Sequence, residues 1–120
     1  WDNDGRCCGT AGAGDVMLNM WQRHGRDTDL AFALTLGDAL VRRALDDGTH
    51  AFWRFVEHRN EDPLLPPGTG WMQGAAGIAA YLFRLARVLE QGREACRRPH
   101  GHLVGAPGVM AGDARPSAAV

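Results

Sequence analysis

Gly5-Arg6-Cys7-Cys8-Gly9-Thr10-Ala11-Gly12 returns sixty-five residues later as Gly70-Trp71-Met72-Gln73-Gly74-Ala75-Ala76-Gly77, and this doubling decides how the chain reads. Each copy stands just before an apolar helical stretch. Glycines at both ends of the Gly-x-Ala-Gly element let the backbone turn tightly and let a helix start pack closely on its neighbour. Such a repeat predicts stacked helical hairpins, each burying its apolar face against the next, curving into a solenoid or closing into a ring. A third near-copy, Gly105-Ala106-Pro107-Gly108, has no helical stretch behind it and reads as composition.

Outward from these elements, the first helix is predicted over residues 9–24, where Val16, Met17, Met20 and Trp21 recur at helical spacing and Gly25 follows as a stop. Asp27, Thr28 and Asp29 offer capping side chains to a second, amphipathic helix over 28–47, which carries Leu30, Phe32, Ala33, Leu36, Leu40, Val41 and Leu45 and is closed by Gly48. The aromatic alternation of Phe52, Trp53, Phe55 and Val56 predicts a short β arm around 51–57. Pro63, Pro66, Pro67, Gly68 and Gly70 make residues 60–70 a loop, because proline removes donors and fixes φ. A third helix is predicted over 75–91, burying Ile78, Tyr81, Leu82, Leu85, Val88 and Leu89 and ending at Gly92. Residues 93–120 show no period and read as a weakly ordered tail.

Composition narrows the partners. A formal net charge of -1 gives no field that gathers nucleic acid or an anionic membrane. No stretch approaches the roughly 20 apolar residues a membrane span requires, and no basic-apolar-small leader opens the chain. All 13 basic residues are arginine, a bias to which no chemistry is assigned. Trp1 in place of methionine reads as a cut through a longer protein. Three cysteines, two of them adjacent, suit a reducing compartment with a metal or reactive thiol better than a disulfide framework, so the expected localisation is cytoplasmic.

Taken by themselves, Cys7 and Cys8 fit three roles: metal ligands, small packed residues at a helix start, or a vicinal disulfide. Arg6 reads as an exposed loop arginine beside them, and Asp15 as a complement to the helix N-terminus. His24, His50 and His58 read as solvated or backbone-bonded. Cys96, His100 and His102 lie within seven residues of one another and suggest a second metal site, against which the tail's poor order argues. Trp71 and Tyr81 read as core or rim packing.

Cys7-Cys8-Gly9-Thr10-Ala11-Gly12, Trp53 in an aromatic arm, and Gly70-Trp71-Met72-Gln73-Gly74-Ala75-Ala76-Gly77-Ile78 together resemble the last two repeats of lanthionine synthetase C-like proteins. The resemblance covers residues 1–92. It implies an all-α fold, a fragment of an α/α toroid of helical hairpins with a short β arm, followed by the irregular tail at 93–120. It also implies a zinc ion held through Cys7 and Cys8, with Cys8 standing where the family usually has histidine. Zinc accepts either donor, and a catalytic site needs three protein ligands and one open position. The implied activity is addition of a cysteine thiolate of a dehydrated precursor peptide to dehydroalanine or dehydrobutyrine, closing a thioether ring. The third ligand and the acid/base residues are expected upstream of Trp1, so this section alone is expected to be inactive.

Two other readings stand beside this one. A glutathione-adding enzyme of the same family is not separable on these residues. A non-catalytic helical toroid that binds peptides or partner proteins would leave the cysteines structural. A sugar-cleaving toroid fits poorly, because Glu57, Glu61 and Asp62 cluster in one loop instead of flanking a substrate.

Overall fold

Three helices and two small antiparallel sheets make up residues 2–57, 59, 61 and 64–92, the part of the chain that the computed structural model describes. In order these are α1 (Thr10–His24), α2 (Asp27–Arg43), β1 (Leu45–Asp46), β2 (Ala51–Phe52), β3 (Phe55–Val56), β4 (Leu64–Leu65) and α3 (Ala75–Gln91). This is a small α+β domain, and it corrects the expectation of an all-α, α/α-toroid fragment. The correction comes from residues 44–65, which form two strand ladders where the toroid reading allowed a single short arm. The expected tail, with Cys96, His100 and His102, lies outside the described residues, as does His58.

α2 stops four residues short of its predicted end, for a local reason. Ala44 turns extended at φ -58° and ψ 134°. The aspartates beyond it then bond their own turn: Asp46 Oδ1 accepts from Gly48 N–H at 2.5 Å, and Asp47 Oδ1 accepts from Thr49 and His50 N–H at 2.9 and 2.7 Å. Side chains that satisfy nearby backbone donors in this way compete with helix and favour a turn. Gly48, at φ 89°, completes that turn instead of capping a helix. The result is the β1–β2 hairpin, with Leu45 opposite Phe52 and Asp46 opposite Ala51. The second ladder sets Phe55 opposite Leu65 and Val56 opposite Leu64, so a pair of leucines from the predicted loop becomes a strand.

α1 and α2 form a helical hairpin, and α3 packs across both. The termini of α1 and α3 follow the predicted glycine stops, Gly25 at φ 71° and Gly92 at φ 77°. Ala11, Leu18, Trp21, Ala33, Leu40, Trp53, Ile78, Tyr81, Leu85 and Val88 form the core. Tyr81 is its centre, fully buried, with its hydroxyl donating to the Ala33 carbonyl at 2.6 Å. A Cβ on Gly14 would fall within that ring, so the bare backbone of α1 is what admits it. Trp53 locks the strand region to α2 by donating from Nε1 to the Leu40 carbonyl at 2.9 Å. Helical periodicity overcounted the core: Phe32, Val41 and Leu89 are 46%, 62% and 61% exposed, whereas Leu18, which was not singled out, is fully buried. Among the described residues no helix is long and apolar enough to cross a membrane.

Tyr81→Phe removes the donor to a buried carbonyl and is expected to cost about 1–2 kcal/mol. Phe83→Ala, at a position 72% exposed, is expected to stay within about 0.5 kcal/mol of the parent chain. Urea denaturation of both variants checks the contrast.

Candidate functional site

The doubled sequence element is a doubled structure. Thr10 N–H donates to the Asn3 carbonyl at 3.0 Å, and sixty-five positions later Ala75 N–H donates to the Gly68 carbonyl at 2.9 Å. Ala13 N–H reaches Gly9 O at 3.1 Å, and Ile78 N–H reaches Gly74 O at 3.4 Å. A Cβ on Gly12 would fall on the Arg6 carbonyl, and one on Gly77 would fall on the Trp71 carbonyl, again the matching residue. Each copy is therefore the same turn, with an extended glycine N-cap feeding a helix without any side-chain cap.

The two turns also pack on one another. Cys7 N–H donates to Met72 O at 2.8 Å, and a Cβ on Gly5 would lie 2.9 Å from both Gln73 Cα and Met72 O. Only a residue without a side chain fits there. Three further anchors fix the first turn. Asn3 pairs with Val56 in both directions, Nδ2 to Val56 O at 2.9 Å and Val56 N–H to Oδ1 at 2.7 Å, as though it were one more strand residue. Arg43, at the end of α2, donates from Nη2 to Thr10 Oγ1 at 2.7 Å and makes an ion contact with Asp4 Oδ1 at 2.5 Å. Arg6 pairs with Asp15 and lies over the Trp71 ring, 4.7 Å from its centroid.

Held in this frame, Cys7 and Cys8 project from the turn as exposed free thiols. The Cys8 thiol donates to Cys7 Sγ at 3.2 Å. That hydrogen bond, together with the charge Cys7 carries when ionised, pushes the Cys8 thiol above the usual range for cysteine. Two thiolates on one tetrahedral zinc stand about 3.8 Å apart, given Zn–S bonds of about 2.3 Å. The sulfurs, 3.2 Å apart, would have to separate by about 0.6 Å to take two corners of such a site. Among the described residues no group of three or more histidines, cysteines or carboxylates converges, so a third protein ligand is not among them. His24 ends α1, and His50 lies in the β1–β2 turn with Nδ1 3.6 Å from Asp47 Oδ2.

Beside the second turn is an open groove of about 370 Å³, lined by Phe55, Leu65, Pro66, Trp71 and Met72 among others. Met72 belongs both to this groove and to the contact with Cys7, so the groove adjoins the turn that carries the thiols. Trp71 and Met72 are about half exposed here, which makes them lining residues instead of core.

Sequence reasoning misread two charges. Arg6 and Asp15 belong to one inward network: Arg84 Nη1 sits 2.6 Å from Asp15 Oδ1, Arg84 Nη2 donates to Asn19 Oδ1 at 2.7 Å, and Arg6 takes the other Asp15 oxygen. Arg84 announces this in the sequence, since it falls at the core spacing of Tyr81 and Val88 on α3, where a cation needs a carboxylate partner.

No protein-family model matches the chain, and no curated protein or solved structure matches it. The reading of the site accordingly stands on its own residues.

Arg84→Met strips one cation from a buried carboxylate and is expected to destabilise the chain by about 3 kcal/mol, with partial recovery when Asp15→Asn is added. Denaturation of the single and double variants measures it. Cys7→Ala removes the hydrogen bond and the charge that do most to raise the Cys8 thiol, so Cys8 is expected to alkylate faster at neutral pH; peptide-resolved mass spectrometry reports the rate.

Proposed function

We propose that Cys7 and Cys8 supply two thiolate ligands to a zinc site at which a peptide thiol is held for carbon–sulfur bond formation with a dehydroamino acid. The observation that supports this reading is the pair of exposed thiols, 3.2 Å apart, on a turn anchored by the Cys7 N–H···Met72 O bond and by the pairing of Asn3 with Val56. Zinc bound there would supply the positive charge that keeps a neighbouring thiol ionised at neutral pH. The chain's own contribution is geometric. The Cys7 N–H···Met72 O bond and the Arg6 and Asn3 anchors hold both sulfurs at the surface, where a peptide can approach, and the groove beside Trp71 and Met72 offers apolar residues of that peptide a seat.

In the proposed reaction the peptide sulfur adds to Cβ of dehydroalanine or dehydrobutyrine. The carbon–sulfur bond forms as the π pair of the double bond moves to Cα, which then takes up a proton. No described residue is assigned to that proton transfer. The described section is therefore expected not to close rings alone, since the reaction needs a further zinc ligand and acid/base groups that the described residues do not supply. Whether the acceptor lies on the same peptide or the attacking thiol is glutathione turns on those groups as well.

Zinc uptake tests the assignment. Binding must expel the proton that Cys7 helps to hold on Cys8, so affinity is expected to rise with pH and to fall as the thiols protonate. Competition with a chromophoric chelator is expected to show at least a tenfold loss for Cys8→Ala and retention for Cys8→His, which restores a ligand of the other type. With cobalt in place of zinc, the sulfur-to-metal absorption is expected to grow when a cysteine-containing peptide is added. A chain that takes up no zinc, or a Cys8→Ala variant that binds as well as the parent chain, overturns the proposal.

A further inference from the structure

The two turns are equivalent in backbone and unequal in what they touch. The first turn presses Gly5 against the second, with 2.9 Å from its Cβ position to Gln73 Cα and Met72 O, and gives its Cys7 N–H to the Met72 carbonyl. The corresponding face of the second turn is Gly70 and the Met72 N–H. Among the described residues a Cβ on Gly70 meets nothing within 4 Å and no acceptor is bonded to the Met72 N–H. The first turn has a complementary free edge. Its Cys7 carbonyl is the counterpart of the Met72 carbonyl, accepts no hydrogen bond among the described residues, and stands beside the exposed Cys7 and Cys8 side chains. The chain thus carries one copy of a turn-on-turn contact within itself and, at its two ends, the two unmatched halves of the same contact.

We infer that this chain associates head to tail with a second copy of itself, the Gly70 face of one chain docking on the Cys7-Cys8 edge of the next. By the internal geometry, Met72 N–H of one chain donates to Cys7 O of its neighbour, and Gly70 lies against the backbone of Cys7 and Cys8. Half-exposed Trp71 falls in the same contact, in the place that its counterpart Arg6 holds against the second turn within one chain. Such an interface is heterologous, so each docking leaves one free face of each kind and growth continues with concentration. It also covers the two thiols of every chain except the one at the free end, which alone keeps the site of the proposed function open to a peptide. The alternative occupant of the Gly70 face, a different protein offering a similar glycine-framed turn, would leave the isolated chain monomeric.

Sedimentation velocity of the full chain across a concentration series, in reductant and chelator so that neither disulfides nor metal bridge chains, tests this. The mass is expected to rise above 13.0 kDa with concentration. Gly70→Ala places a methyl group in open space within one chain and against backbone between chains, so it is expected to stay at 13.0 kDa with an unchanged circular dichroism spectrum. Gly68→Ala, also open in the monomer and matched in the first turn by Asn3, is expected to associate like the parent chain. Alkylation of the Cys7-Cys8 peptide is expected to slow severalfold with rising concentration in the parent chain and to stay constant in Gly70→Ala. A parent chain of constant mass 13.0 kDa, or a Gly70→Ala variant that associates equally well, overturns the inference.

Discussion

Backbone resting on backbone, where the turn at Gly5 meets the turn at Gln73, is the constraint from which the rest of the structure follows. At 2.9 Å from a would-be Cβ there is no room for any side chain, so the two helix starts approach as closely as peptide groups allow. The crossing of α1 and α3 is set at that point, since both helices leave their turns through the same extended glycine and the same carbonyl contact. Gly14 then permits the Tyr81 ring to slot against α1, and the Tyr81 hydroxyl reaches past it to α2. A contact near the chain's beginning thereby fixes which face of α3 becomes core. Desolvation, with Asp15 adding to it, raises the Tyr81 pKa well above the usual tyrosine value, which keeps the hydroxyl protonated and donating at neutral pH.

The same closeness explains why charge is carried inward. Asp15, with a side chain 8% exposed, lies where the two turns and α3 converge, and a lone carboxylate there would be costly. Arg84 from α3 and Arg6 from the first turn meet its two oxygens, and Asn19 takes a further Arg84 donor. A buried pair of this kind adds little stability over apolar packing, while breaking it is expensive. Its effect is positional. Arg6 is committed to Asp15 and lies over Trp71, while the next two residues, Cys7 and Cys8, are exposed.

Much of this was legible in the sequence, and the failures have physical causes. The repeat, the ends of α1 and α3, and the glycine stops follow from local patterning and local backbone requirements. Residues 44–65 do not, because the periodic apolar signal of α2 runs on through Leu45 while Asp46 and Asp47 offer the backbone a competing set of hydrogen bonds. Leu64 and Leu65 read as loop between prolines, and only pairing with Phe55 and Val56 makes them a strand. The toroid expectation failed at the same place, since it extrapolated two helix starts to an all-helical stack. At the candidate site, the cysteines were visible as residue types. Their anchors were not, because Asn3 to Val56 and Arg84 to Asp15 span 53 and 69 positions and carry no local signature.

One backbone used twice with different side chains also separates what the turn needs from what it can carry. Gly5, Gly9 and Gly12 and their counterparts Gly70, Gly74 and Gly77 occupy equivalent places, and all of these but Gly70 meet backbone if a Cβ is added. Cys7 and Cys8 answer to Met72 and Gln73, residues of different size and chemistry, so the turn does not itself require cysteine at those two positions. An adjacent pair of thiols is therefore not something that packing demands. Small size would be the only packing argument for cysteine, and both residues are exposed. Exposure removes that argument and leaves the chemistry of sulfur, which the proposed zinc site would use as a soft donor pair presented to one ion.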